Sequence, residues 1–230
     1  MTLDWTRLLR GLGVAAWAGF FDYLWISGHA NAYVGPRTTW VVTFGALTLT
    51  VVAAVYLAGV RSTQPAQTPR AAEVGRLGIV IAPIVLAAMA PAVGLGAQAV
   101  GQKRAAEGKA AIARLKAPRG DIRLYELAAA RTNPKWATDN GIVKGLEVRF
   151  DGFIFEPAKN GTVVLSRFLA TCCAADAVPY SITVTSDVDV PFKRNQWVKV
   201  SGVVQTGGKR KLYVAAHSID AIDRPLNPYG

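Results

Sequence analysis

Long apolar stretches followed by short alternating runs divide the chain into two kinds of sequence. Residues 8–27, 40–60 and 77–98 are mainly apolar, and a helix needs about 20 such residues to cross a bilayer. The pattern therefore predicts three transmembrane helices, which together form a membrane domain covering residues 1–100.

Polar and proline residues modify this prediction. Pro83 and Pro91 lie in the third stretch, so we expect its helix to be kinked or to end early near Pro91. The first stretch also has features of a cleaved signal peptide, but Asp22 in its apolar part and the two later stretches favour a retained helix. Asp22 is either a functional acid or a residue that reaches the interface, with Arg37 as a possible ion-pair partner.

After residue 100 the chain becomes polar and basic. Residues 101–120 are rich in Ala, Lys and Arg, which predicts a helical linker that lies on the membrane surface or serves as a solvated spacer. Residues 121–130 are typical of another helix. Alternating or β-branched runs then predict five strands, at 145–155, 162–171, 180–186, 196–205 and 210–218.

Five short strands within residues 121–230 predict a small all-β barrel, most simply of the OB (oligonucleotide/oligosaccharide-binding) type. Gly202 within the fourth run suggests a β-bulge. OB domains often bind nucleic acid, but most aromatic residues here occupy positions typical of a core, and a membrane tether would limit access. We therefore do not expect nucleic acid as a partner.

The formal net charge of +11 changes the picture only for partners and orientation. Attraction to anionic membrane lipids is the first interpretation, with nucleic-acid binding and a plain solvated surface as alternatives. Arginines before the first stretch and after the second favour a cytoplasmic N-terminus, whereas the basic residues that follow the third stretch oppose it. We expect a multi-pass protein of the cell membrane whose C-terminal domain is extracytoplasmic.

The candidate chemistry lies in the run Thr171-Cys172-Cys173-Ala174-Ala175-Asp176-Ala177, which contains both cysteines of the chain. Adjacent cysteines can form a disulfide with each other only in a strained ring. Thiolates suit zinc, copper(I) or iron, and a carboxylate can complete a zinc site. Cys172, Cys173 and Asp176 are thus candidate zinc ligands, with His217 a possible fourth; alternatively, the thiols pack as small hydrophobes and Asp176 caps a turn.

At this motif the chain resembles the bacterial YcgQ-like family of permease subunits. The matching pieces are Arg167-Phe168, the double-cysteine run, Trp197-Val198-Lys199-Val200-Ser201-Gly202, the ending Leu226-Asn227-Pro228-Tyr229, the loop Tyr33-Val34-Gly35-Pro36-Arg37 and the segment from Pro83 to Gly96. One difference is that Gly35 stands where the family is expected to have a histidine. The resemblance implies a larger multi-span permease of the YraQ/YcgR type as partner, and no particular substrate.

These observations predict a membrane-anchored accessory subunit of a transport system, which is not itself an enzyme. Its C-terminal domain would capture or hand over a ligand such as a zinc ion, with Arg167 orienting Asp176 or stabilising the thiolates. The alternatives are a membrane-tethered thiol redox protein and a non-catalytic structural or binding module in which the cysteines only pack.

Overall fold

The computed structural model describes residues 2–59, 61–62, 71–89, 95–103, 121–186, 191–207 and 212–229. The chain forms two compact units. The helical unit contains Met1–Tyr33 and Arg37–Val93, and the strand unit contains Gly94–Gly230 together with the short segment Val34–Pro36. Three residues between the first two long helices therefore belong to the C-terminal unit.

The helical unit consists of α1 (Trp5–Ile26), a 3-10 turn (His29–Ala32), α2 (Thr39–Ala58) and α3 (Ala71–Met89), with two short antiparallel strands, β1 (Thr2–Leu3) and β2 (Arg61–Ser62). The carboxylate of Asp4 accepts a hydrogen bond from the backbone N–H of Arg7 and so caps α1. Pro83 lies inside α3, and the indole N–H of Trp17 donates to the carbonyl oxygen of Val80 at 3.1 Å.

Among the described residues, two helices are long and apolar enough to span a membrane, by length and composition: Thr39–Ala58 and Ala72–Met89. α1 does not meet this test, although three spans were predicted. It is long enough, with 22 residues, but its apolar residues are diluted by charged and interfacial side chains: Arg7, Arg10, Trp17, Asp22, Tyr23 and Trp25.

The third predicted span, residues 77–98, differs in its bounds from the helix that the structure describes. This helix is Ala71–Met89, so the polar Glu73 and Arg76 precede the apolar run within the same helix. Pro91 lies outside the described residues. The segment after Gly96 belongs to a separate short helix of the strand unit.

The strand unit begins with α4 (Ala97–Lys103), α5 (Leu124–Thr132) and α6 (Pro134–Asp139). Of the predicted linker, residues 104–120 lie outside the described part of the chain. The prediction of five strands is confirmed, and they are β3 (Glu147–Lys159), β4 (Thr162–Leu169), β5 (Val178–Thr185), β6 (Trp197–Thr206) and β7 (Leu212–Ala221).

Strand pairing closes the sheet into a ring in the order β3-β4-β5-β7-β6, with β6 pairing back to β3. All pairs are antiparallel except β5 with β7. Asn160 and Gly161 connect β3 to β4 with positive φ angles of 52° and 66°, as a tight hairpin turn requires. The predicted irregularity at Gly202 is present as a register shift between Ser201 and Gly202.

Two apolar cores lie against this sheet. The larger is formed by alternate strand residues such as Ile154, Leu165 and Val200, together with Leu124 and Leu127 of α5. The second core packs α4 and the C-terminal Tyr229 against an aromatic group of strand residues, which includes Phe153, Phe155, Phe168 and Trp197. This second core also contains Ala170 and Ala177, so it supports both ends of the cysteine-containing segment.

Candidate metal centre

The connection between β4 and β5 is a compact turn built around one carboxylate. We call residues 171–177 the thiol turn. Asp176 accepts hydrogen bonds from three consecutive backbone N–H groups: Oδ2 from Thr171 at 3.2 Å and Cys172 at 3.0 Å, and Oδ1 from Cys173 at 3.1 Å. The N–H of Asp176 in turn donates to the carbonyl oxygen of Cys173 at 3.2 Å. The acid therefore organises the backbone that presents both cysteines.

Both sulfur atoms lie at the surface of this turn and close to each other. Cys172 is exposed, Cys173 is partly exposed, and neither forms a disulfide in this structure. Their Sγ atoms are 3.7 Å apart, with Cys172 donating to Cys173. The ligand atoms of Cys172, Cys173 and Asp176 all lie within 4.8 Å of one another. The residues that the sequence predicted as a site are thus brought together.

The surroundings of the two thiols shift their pKa values in opposite directions. The pKa of Cys173 is lowered, mainly because the backbone N–H of Ala175 bonds its sulfur, with further contributions from the thiol of Cys172 and the N–H of Asp176. The pKa of Cys172 is raised, first because its thiol donates to Cys173, and then by desolvation and the nearby Asp176 carboxylate. Cys173 is therefore the thiol that ionises first.

The carboxylate of the turn is held in its charged form. Desolvation acts to raise the pKa of Asp176, but the backbone N–H groups of Cys172, Cys173 and Thr171 and the Cys172 thiol outweigh it, so the pKa is lowered. An ionised carboxylate and an ionisable thiol then stand side by side, which is the charge state that a metal ion requires of its ligands.

A lysine that sequence reasoning missed holds the other side of the turn. Lys103, the last residue of α4, donates from Nζ to the carbonyl oxygens of Ala174, Ala175 and Ala177, each at 3.0 Å. In a planar trans peptide the carbonyl and the next N–H point in opposite directions. The ammonium group thus fixes the peptide units whose N–H groups, on Ala175 and Asp176, face the Cys173 sulfur.

The segment Val34–Pro36 contacts the turn as a short strand addition. Val34 forms an antiparallel bridge with Cys173, and the N–H of Gly35 donates to the carbonyl oxygen of Cys172 at 3.0 Å. A Cβ atom at residue 35 would lie 3.0 Å from the carbonyl oxygen of Ala170. The close approach of the two backbones gives a physical reason for glycine at this position.

The donor set can be tested against the geometry of a zinc ion. Two thiolates bound to tetrahedral zinc at about 2.3 Å lie about 3.8 Å apart, and the two sulfurs here are separated by 3.7 Å. A carboxylate oxygen bound to the same ion would lie about 3.6 Å from each sulfur, closer than the 4.8 Å limit of the group. The separation of the two sulfurs therefore matches that of a zinc-bound pair, and the carboxylate would have to move by up to about 1 Å.

Other residues predicted for the site have different contacts. Arg167, expected to orient Asp176, forms an ion pair with Asp151, donates to the carbonyl oxygen of Asn227 at 3.0 Å and stacks over the ring of Trp197. The imidazole of His217 lies 3.4 Å from Glu147, and the candidate ligand group within the described residues contains no histidine.

The two polar residues predicted in the helical unit, Asp22 and Arg37, belong to a different unit from the thiol turn. Asp22 accepts a hydrogen bond from Thr50 at 3.0 Å, and no ion pair between Asp22 and Arg37 occurs among the residues that the structure describes. Arg37 is exposed. The sequence did not predict that Lys103 and Val34–Pro36 contact the thiol turn. Before the structure was known, these residues stood out only as part of a basic segment and of a loop between two helices.

Fold and site define a class of protein: a closed five-stranded sheet with an exposed dithiol turn, joined to a helical unit with two apolar helices. Residues 137–229 match the family model described as the DUF1980 C-terminal domain, which is consistent with the resemblance to the YcgQ-like proteins. The match covers the strand region and the thiol turn. A comparison of the chain with curated proteins finds no match.

Proposed function

We propose that the thiol turn binds one thiophilic metal ion, zinc being the best fit, through the sulfurs of Cys172 and Cys173, with Asp176 as a third ligand. The observation that carries this proposal is the 3.7 Å separation of the two sulfurs, which equals the spacing of two thiolates on tetrahedral zinc to within about 0.1 Å. A fourth position is left for water or for a ligand from a donor or acceptor protein.

The exposure of the thiol turn supports a role in metal transfer rather than a purely structural role for the metal. Structural zinc sites are closed by four protein ligands, whereas sites that exchange a ligand keep a position open. Here Cys172 is exposed, and the turn offers three candidate ligands among the described residues. A metal ion held by two or three groups at a surface is accessible to another protein.

We further propose that the chain is a membrane-anchored accessory subunit of a transport system. The resemblance to the YcgQ-like proteins implies a multi-span permease as partner. The two apolar helices are also little covered by the rest of the protein: 17% of the most apolar part of Thr39–Ala58 is buried, and 0% of that of Ala72–Met89. Such helices need lipid or another protein around them. The OB-like barrel would act as the metal-presenting domain, and its strand order with one parallel pair supports the OB assignment.

One contact in the C-terminal unit bears on membrane topology. Val34–Pro36, from the loop between α1 and α2, packs within the C-terminal unit, so that loop and the C-terminal domain belong on the same membrane side. Three crossings meet this requirement, and so do two crossings by α2 and α3 alone. We propose the extracytoplasmic side for both, as the arginines before α1 and after α2 favour.

The direct test of metal binding uses the full chain in detergent, titrated with Co²⁺ as a spectroscopic substitute for zinc. Thiolate coordination gives an intense sulfur-to-metal charge-transfer absorption, which we expect to saturate at one ion per chain and to disappear in the Cys172→Ser/Cys173→Ser double variant. The contribution of Asp176 is tested with Asp176→Asn. Its matched control is Asp223→Asn, which changes an exposed carboxylate on the segment after β7. Equal absorption in wild type and double variant would refute the site.

A thiol redox function is the second candidate, favoured by the exposure and adjacency of the two thiols. One thiolate would attack a partner's disulfide, and the second would resolve the mixed disulfide, so that the partner leaves as a dithiol. The resulting vicinal disulfide would be strained. Mixed-disulfide capture with Cys172→Ser or Cys173→Ser, together with no metal binding by wild type, would favour this alternative over the metal site.

A further inference from the structure

A cavity of about 530 Å³ lies within the helical unit, between α1, α2 and α3. Its volume falls in the range of small-molecule sites, about 300–1,000 Å³. The residues that line it are Thr6, Leu9, Arg10, Gly13, Val14, Trp17, Leu49, Glu73, Arg76, Leu77 and Val80. All of them belong to the helical unit, whereas the thiol turn belongs to the strand unit.

The lining changes from charged to apolar along both α1 and α3. At one end Glu73 accepts a hydrogen bond from the Thr6 hydroxyl at 3.1 Å and pairs with Arg10 at 4.0 Å. Arg76 stands one turn further along α3. Beyond these groups the wall is formed by apolar side chains, and Trp17 fixes its inner end through a hydrogen bond to the backbone of Val80.

The apolar part of the cavity lies within the depth of one leaflet of a bilayer. At 1.5 Å per helical residue, the lining of α1 from Arg10 to Trp17 spans about 10 Å, and that of α3 from Arg76 to Val80 spans about 6 Å. Half of a hydrocarbon core is about 15 Å thick. A single acyl chain entering at the charged end would therefore be covered along the part nearest its headgroup.

The charge at the mouth of the cavity favours a lipid with an anionic headgroup. Arg10 and Arg76 carry two positive charges against the one negative charge of Glu73, so the mouth is positive by one unit. Glu73 pairs with Arg10, whereas Arg76 forms no ion pair with any residue that the structure describes, so its charge is available to an anion. A phosphate at this depth would lie at the level where basic residues meet lipid headgroups.

We propose that this cavity binds one anionic phospholipid, with an acyl chain along Val14, Leu77 and Val80 and the phosphate at Arg76 and Arg10. The site would give the helical unit a bound lipid as part of its structure, independently of what the thiol turn binds.

The test uses the full chain in detergent, stripped of lipid and then given phosphatidylglycerol or phosphatidylcholine with the same oleoyl chains. Native mass spectrometry counts the lipids retained per chain. We expect one retained phosphatidylglycerol and weaker retention of phosphatidylcholine. Arg76→Gln should weaken phosphatidylglycerol binding about fivefold, the effect of one basic residue near a membrane surface. Val14→Trp, which fills the apolar part, should abolish it.

Arg37→Gln serves as the matched control, because Arg37 is exposed in the same unit and does not line the cavity. It should bind phosphatidylglycerol like wild type. Equal retention of both lipids without a fixed number per chain would overturn the proposal, as would retention that Arg76→Gln leaves unchanged. If the free chain retains no lipid and Val14→Trp instead disrupts assembly with a permease, the cavity belongs to a partner helix and the proposal is wrong.

Discussion

Replacing Lys103 by methionine removes the ammonium group that bonds three carbonyl oxygens of the thiol turn, each at 3.0 Å. A hydrogen bond to a charged group contributes about 1.5–3 kcal/mol, and an unsatisfied buried carbonyl costs about 1–3 kcal/mol. Water can replace the bond to the exposed Ala175 more easily than those to the part-buried Ala174 and Ala177. We therefore expect the opening free energy of the turn to fall by about 2 kcal/mol.

Hydrogen–deuterium exchange of the full chain in detergent measures this change locally. A loss of 2 kcal/mol corresponds to exchange about 30-fold faster for the amides of residues 171–176, several of which bond Asp176 or Cys173. The control is Lys199→Met on β6, an exposed lysine, which should leave these amides unchanged. Acceleration below about threefold in Lys103→Met would refute the view that the lysine holds the turn.

Three further changes test other parts of the account. Asp176→Asn should lower stability by about 1 kcal/mol at pH 7, as loss of a capping acid does. Because the folded pKa of Asp176 lies below its ordinary value of 3.8, the wild-type contribution is complete above that value and is lost as pH falls below it, so melting curves of variant and wild type should converge in acid. Gly202→Ala should destabilise the sheet by about 3 kcal/mol, since its Cβ would lie 2.3 Å from the carbonyl oxygen of Ala215, and thermal unfolding measures this. Iodoacetamide near neutral pH should label Cys173 before Cys172, read by mass spectrometry, because its pKa is the lowered one.

Each of these three predictions has an outcome that would contradict it. A melting difference for Asp176→Asn that persists unchanged into acid would mean that the carboxylate charge does not stabilise the turn. For Gly202, the control is Gly101→Ala in α4, where nothing lies within 4 Å of the added Cβ; equal effects of the two would refute steric conflict at the bulge. If Cys172 is labelled first, exposure rather than ionisation controls reactivity, since Cys172 is the more exposed thiol.

The strand region was well predicted from sequence because its signals are local. Runs such as 162–171 and 196–205 alternate with the period of a strand, and β4 and β6 occupy nearly the same residues. The bulge at Gly202 was predicted because glycine permits a close backbone approach that a side chain would prevent. The helical part was less well predicted. Apolar content does not show where charged residues extend a helix beyond its apolar run, as Glu73 and Arg76 do in α3.

The candidate site was predictable only in part. Cys172, Cys173 and Asp176 are close in sequence, so one turn brings them together, and the alternative in which Asp176 caps that turn is realised in its three backbone hydrogen bonds. Lys103 and Gly35 are about 70 and 140 residues away from the turn and reach it through tertiary packing, which no local pattern encodes. Arg167 was predicted to orient Asp176 or to stabilise the thiolates, but its guanidinium pairs with Asp151 on the neighbouring strand β3.

The central claim, that the thiol turn is a metal site, is tested most directly by zinc stoichiometry. The full chain would be purified without chelator, exchanged into metal-free buffer with defined zinc, and analysed for bound metal beside the Cys172→Ser/Cys173→Ser variant and the Asp223→Asn control. The account predicts one zinc per chain in wild type and control and none in the double variant, with all three folded by circular dichroism. Equal zinc in the double variant, or none in the wild type, would contradict it.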